Sequence, residues 1–250
     1  MIKVLVFGLP GSGKTEFSKR LKARLADAVH INADDVRKAA NDWDFSPEGR
    51  ARQAARMNAM AEESGARVVI MDFVCPKAAY REMIRADHAV WMNTIDKSRY
   101  EDTNTIFEKP LNQSVIEVAS FGYSGIIGTL IHQMGEFDWR KPTAQMTGRY
   151  QPWHGGHREL FKESLRRVGQ VCIMVRDTYQ TSEKDPFTYD EVAARIRADL
   201  VGYEGRYVIQ RVPNITQIHY GRDVGYSIEK IDLPPEIEEI SATKIRMELL

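Results

Sequence analysis

The chain has 250 residues, 35 basic and 35 acidic, for a formal net charge of zero, and 43% of its residues are hydrophobic. That balance suits one or two globular domains with a core each, and the lack of a basic excess argues against nucleic acid as a partner. No apolar run approaches membrane-spanning length. The two cysteines, Cys75 and Cys172, form neither a CxxC pair nor a disulfide framework, and with no signal-peptide core at the N-terminus the expected compartment is reducing and cytoplasmic.

Short apolar runs alternate with longer helical patterns, which predicts α/β organisation with parallel sheets. Ile2–Phe7 reads as a buried strand, Glu16–Leu25 as a helix, and Ala28–Asn32 as a short strand. A helix is expected over Pro47–Ser64, with Ser46 as N-cap, Pro47 at its first position and Gly65 ending it. Strands follow at Arg67–Phe73 and Asp87–Met92, then a polar loop or lid over Asn93–Pro110, and a last strand at Ser114–Val118. The glycine-rich stretch Gly122–Gly135 and the Trp139-Arg140-Lys141-Pro142 run read as a linker, 121–142, between domains 1–120 and 143–250. In the second domain, strands are expected near Ala144–Thr147, at Val171–Val175 and at Tyr207–Val212. Helices are expected near His157–Val168, at Tyr189–Leu200 and from Ala242.

Gly8-Leu9-Pro10-Gly11-Ser12-Gly13-Lys14-Thr15 fits the phosphate-loop pattern G-x-x-x-x-G-K-[ST] between a buried strand and a helix. In such a loop, glycines let backbone N–H groups converge on phosphates, and the helix N-terminus adds partial positive charge. Lys14 would neutralise the β- and γ-phosphates of ATP, and the Thr15 hydroxyl would ligate Mg²⁺. Asp72 ends an apolar strand, where it can hold a magnesium-bound water or cap the next helix; both readings stand at this point.

The N-terminal part resembles the adenylylsulfate kinases. Asn32-Ala33-Asp34-Asp35-Val36-Arg37 matches an acidic motif that ends Asp-Asn-Val-Arg in that family; Phe45-Ser46, Arg50, Gln53 and Arg56 follow its next motif, and Phe73-Val74-Cys75-Pro76 its Phe-Ile-Ser-Pro. The resemblance implies that Asp34 is the catalytic carboxylate near the acceptor hydroxyl. It also implies that Arg37 and Arg50 hold the acceptor's phosphate or sulfate, that Gln53 belongs to the acceptor site and that Phe73 stacks on its base. The sequence departs from the family at Gln53 (Asn there), Cys75 (Ser) and Ala55 (Arg), and the basic lid is largely missing between Met92 and Pro110. The phosphoryl-donor half of the site is therefore kept and the acceptor half altered.

In the C-terminal part, Gly148-Arg149-Tyr150-Gln151-Pro152-Trp153-His154-Gly155-Gly156-His157 contains H-x-G-H. With Asp185-Pro186-Phe187-Thr188 and Ile240-Ser241-Ala242-Thr243-Lys244-Ile245-Arg246 it resembles the HxGH nucleotidyltransferases, most closely the archaeal-type nicotinamide-nucleotide adenylyltransferases. The implied fold is a small Rossmann-like domain. The implied chemistry is attack of a substrate phosphate on the α-phosphate of ATP, or of CTP, with loss of pyrophosphate. His154 and His157 would face the reacting phosphates, with Gly156 leaving room. Gly148, Arg149, Ser241, Thr243, Lys244 and Arg246 would bind the nucleotide. Arg176, at the end of a strand, reads equally as a phosphate ligand or a solvated arginine.

Together these motifs predict a bifunctional enzyme, a kinase followed by a nucleotidyltransferase, acting on small molecules, with a homodimer one option. Two alternatives stand beside it: an adenylylsulfate kinase joined to a cytidylyltransferase, and a nucleotide sensor without turnover.

Overall fold

The computed structural model describes residues 1–111, 114–219, 221, 225, 227–238, 240 and 242–249; the side chains of 238, 244, 246, 248 and 249 are also outside the described set. The chain divides into two compact units, Met1–Trp139 and Arg140–Leu250.

The first unit is a five-stranded parallel sheet with helices on both faces, ordered β2-β3-β1-β4-β5. Its strands are β1 (Ile2–Phe7), β2 (Ala28–Asn32), β3 (Val68–Phe73), β4 (His88–Met92) and β5 (Ile116–Val118). The central strand β1 is buried along almost its whole length, which explains its unbroken apolar run. Its helices are α1 (Lys14–Lys22), α2 (Ala33–Ala39), α3 (Pro47–Glu63), α4 (Ala78–Ile84), α5 (Glu101–Ile106) and α6 (Ser124–Met134). As expected, Ser46 caps α3, its hydroxyl accepting the Gly49 N–H, and Gly65 follows the helix at φ +66°.

Residues 121–139 are not a linker. Tyr123, Ile127, Leu130, Ile131 and Met134 of the α6 region pack with Val4, Val6, Phe17 and Leu21 in one hydrophobic core. Asp138, fully buried, pairs with Arg24 at 2.5 Å and anchors the end of this segment. The four glycines of the stretch suggested a loop, but its apolar residues fall on one helical face and bury there. The expected loop or lid at 93–110 holds the short helix α5.

The second unit has a three-stranded parallel sheet, order β6-β7-β8, with β6 (Ala144–Gly148), β7 (Val171–Arg176) and β8 (Tyr207–Val212). They alternate with α7 (Gly155–Val168) and α8 (Tyr189–Asp199); α9 (Pro235–Glu238) and α10 (Ala242–Leu249) follow. This is a β-α-β-α-β succession with the strands side by side in chain order. Its core gathers Met146, Tyr150, Trp153, Phe161, Ile173, Val192 and Ile196. No helix among the described residues is long and apolar enough to cross a membrane.

Candidate active sites

In the first unit the turn from β1 to α1 carries the phosphate loop at the carboxyl end of the central strand, where β3 and β4 flank β1. Open parallel sheets bind ligands at such a switch point. Gly8 is required twice over: φ is +151°, and a Cβ there would lie 2.6 Å from the Met92 carbonyl oxygen. Gly11 and Gly13 also have positive φ, and Gly13 is the left-handed N-cap of α1. Ser12 is fully buried and contributes backbone to the loop, its carbonyl accepting from Thr94 Oγ1 at 2.8 Å.

A cavity of about 1160 Å³ opens beside this loop, large enough for two nucleotide-sized molecules. Lys14, Thr15, Asp34, Arg37, Arg50, Gln53, Asp72 and Phe73, far apart in sequence, all line it. Lys14 Nζ donates to the Leu9 carbonyl at 2.8 Å. Burial lowers its pKa to about 8, against the opposing attraction of Asp72 and Asp34.

Asp72 is 1% exposed. Its Oδ1 accepts from Asn32 Nδ2 at 2.6 Å, and its Oδ2 lies 2.7 Å from His30 Nε2. The capping alternative falls away, because the N-cap of α4 is Lys77 and the Ala78 N–H donates to the Glu108 carboxylate at 2.7 Å. Asp34 stands exposed in the first turn of α2.

On the acceptor side, Arg37 is buried and donates to the Asp42 and Asp44 carbonyls, both at 3.0 Å, while its guanidinium lies 4.6 Å from the Phe45 ring centre. Arg50 donates to the Phe45 carbonyl and faces Asp102 at 3.8 Å. Gln53, expected at the acceptor site, lines the cavity while its amide donates to Ala33 O at 3.1 Å and accepts from Arg56 at 2.7 Å. It holds α3 against the start of α2. Burial raises the Cys75 thiol far above its usual range, so it is an inert packing residue.

Several cavity residues escaped sequence reasoning. Trp43, Tyr80, Ile95, Lys97 and Tyr100 line it with no motif to announce them. Asn32 had a signal, a helix-capping residue type at the end of an apolar strand just before Ala33-Asp34.

In the second unit, His154 is the N-cap of α7, and the expected helix start moves back to Gly155. The His154 Nδ1 accepts the Gly156 N–H at 3.2 Å, and the His157 Nδ1 accepts the His154 N–H at 3.3 Å. Because both Nδ1 atoms accept from backbone, each neutral ring carries its proton on Nε2. The rings lie 3.8 Å apart between centroids, tilted by 30°, and His157 also meets Tyr150 edge-on at 4.9 Å. Burial lowers both pKa values; for His157, with His154 beside it, the value falls to about 3. Both imidazoles are therefore neutral donors through Nε2 at ordinary pH. At Gly156 a Cβ would press on the His154 ring at 3.1 Å.

The sequence-distant motifs meet around this turn. Gln151 makes a two-bond clamp to the backbone of Phe187, at 2.7 and 3.0 Å, and Arg149 pairs with Asp185 at 3.2 Å. Ile240 Cδ1, at the first residue of the third motif, lies 3.6 Å from where a Cβ on Gly155 would sit, at the start of α7. Gly148 sits against the Tyr150 ring, with room for no Cβ. Thr188 instead caps α8 with Glu191. Arg176 lies at the end of β7, as expected, with its buried Nε unpartnered. Thr243 lies in the first turn of α10; Ser241 and the side chains of Lys244 and Arg246 fall outside the described residues.

Residues 1–115 match the family model for adenylylsulphate kinase. The match lies within the first unit, whose P-loop fold is similar to that of the adenylylsulphate kinases, and α6 lies beyond the matched stretch. Among solved structures, an APS kinase of Mycobacterium tuberculosis in complex with AMPPNP and APS is 19% identical. The match covers 53% of this chain and 96% of that chain at a TM-score of 0.44. A sugar kinase from Janibacter sp. is 16% identical over 54% of this chain and 94% of its own, at 0.41. A chain of the Pnkp1/Rnl/Hen1 complex aligns with 87% of this chain and 80% of its own at 14% identity, with a TM-score of only 0.29. No curated protein sequence matches the chain significantly.

Proposed function

We propose that the chain is a bifunctional enzyme. Its first unit transfers the γ-phosphoryl group of ATP to a hydroxyl of a small acceptor, and its second joins a phosphate monoester to a nucleotide with release of pyrophosphate. The kinase reading is carried by one observation: Lys14, Thr15, Asp34 and Asp72 line a single cavity at the end of the central strand.

In that cavity Lys14 would move from the Leu9 carbonyl to the β- and γ-phosphates, and Asp34 would accept the proton of the attacking hydroxyl. The oxygen donors Thr15 Oγ1 and Asp72 fit a magnesium ion, Thr15 directly and Asp72 through water, as suits a cation that keeps much of its hydration. Such an ion neutralises charge on the phosphates; positioning of the acceptor falls to this chain's own residues.

Adenylylsulfate is not the preferred acceptor in this reading. Gln53 is engaged internally, and Arg37 and Arg50 already donate to backbone carbonyls. The aromatic lining of Trp43, Phe73, Tyr80 and Tyr100 suits an acceptor with a flat ring.

What supports the second activity is the His154–His157 pair at the start of α7, the clamp of Gln151 on Phe187 and the nearness of Ile240 to Gly155. Two neutral Nε2–H donors at a helix N-terminus suit charge developing on a bridging phosphate oxygen. Whether ATP or CTP serves there is an outcome of the test. The test is incubation with ATP or CTP and a panel of acceptors, following ADP and pyrophosphate separately. ADP without pyrophosphate would leave the kinase alone; neither product under any condition would favour a sensor.

A further inference from the structure

We propose that Asn32 is the positioning residue of the kinase site, joining through one amide three parts of the machinery that come from three different elements. The proposal rests on the kinase reading above.

Asn32 ends β2 opposite Asp72 of β3 in the strand register. Its Oδ1 accepts two backbone N–H groups at the start of α2, from Asp34 at 3.0 Å and Asp35 at 3.2 Å. Its Nδ2 donates to Asp72 Oδ1 at 2.6 Å and to Thr15 Oγ1 at 3.3 Å. The amide cannot be turned over: backbone N–H groups only donate and a carboxylate only accepts, so each end of the side chain has one possible partner set.

Each contact does something separate. The cap fixes the first turn of α2, and with it the backbone of Asp34. The bond to Asp72, with His30 on the other oxygen, leaves that carboxylate a single orientation. The bond to Thr15 occupies one lone pair of the hydroxyl and leaves the other to face the cavity.

Aspartate at this position separates the roles. It caps a helix as well as asparagine does, but it offers Asp72 and Thr15 no N–H and sets a second carboxylate against the first. Asn32→Asp should therefore retain the cap and lose the alignment. Asn32→Ala loses both.

The experiment measures ATP binding by calorimetry with and without Mg²⁺, thermal stability, and ADP release at saturating acceptor, for the parent and both variants. Asn32→Asp should melt within a few degrees of the parent and bind ATP alone nearly as the parent does. Its magnesium-dependent gain in affinity and its turnover should fall about 10- to 100-fold, the range for residues that orient ligating groups. Asn32→Ala should show the same functional loss with a lower melting temperature. An Asn32→Asp protein with the parent's magnesium response and turnover overturns the proposal. A parent that binds no ATP in either condition overturns the kinase reading and this proposal together.

Discussion

Lys14 carries a pH dependence that can be worked from the structure. Burial lowers its pKa to about 8, and in the proposed complex its ammonium would meet the β- and γ-phosphates. Above pH 7 the phosphates of ATP are already ionised, so the lysine is the group whose charge changes. If only the ammonium form binds, the apparent Kd scales as one plus ten to the power of pH minus pKa. About 90% of Lys14 is charged at pH 7 and about 10% at pH 9. ATP affinity should thus be flat from pH 6.5 to 7 and fall about tenfold by pH 9, a loss of about 1.4 kcal/mol. Calorimetric titration across that range measures it. Lys14→Ala should bind ATP weakly at every pH and show no such slope. The stability sign is opposite: between pH 8 and 10.5 the unfolded chain holds a proton that the folded chain has released, so Lys14 makes folding more favourable as pH rises through that window. Parent affinity that stays constant from pH 7 to 9, in protein folded throughout, would refute the combination of a phosphate-facing Lys14 with a depressed pKa.

Lys14→Ala should also abolish ATP-dependent phosphorylation while leaving pyrophosphate release by the second unit intact; assays of ADP and pyrophosphate on one preparation check this. His157→Ala should cut pyrophosphate release by roughly a hundred- to a thousand-fold, and, because His157 accepts the His154 N–H in a capping box, it should also cost about 1 kcal/mol of stability in a thermal melt. Below pH 6.5 the unfolded chain takes up a proton that His157 refuses down to about pH 3, so stability should fall steadily as pH drops through that range, and less so in His157→Ala. Gly8→Ala should lose about 1–3 kcal/mol through its clash with the Met92 carbonyl and lose ATP binding, measured by melting and calorimetry. A steady-state comparison of adenylylsulfate with sugars and nucleosides should rank adenylylsulfate low; efficiency at the level of a dedicated kinase would overturn that reading.

The sequence by itself determined the local elements with strong chemistry. The phosphate loop, the buried strands β1 and β3, the Ser46 cap and the HxGH turn were all legible because each depends on residues within one turn or strand. Alternation of strands and helices determined the parallel sheets, since parallel pairing needs a crossover between strands. Tertiary structure alone decided what each polar side chain spends its hydrogen bonds on. Gln53 holds Ala33 and Arg56 while lining the cavity, and Asp72 is held by Asn32 and His30 rather than by a helix start. The same holds for α6, whose glycines spoke for a linker until burial against Phe17 and Leu21 outweighed their weak helix propensity. It holds as well for the clamp of Gln151 on Phe187, 36 residues away. These outcomes depend on contacts between positions distant in sequence, and no local pattern encodes which partners the fold will bring within 3 Å of one another.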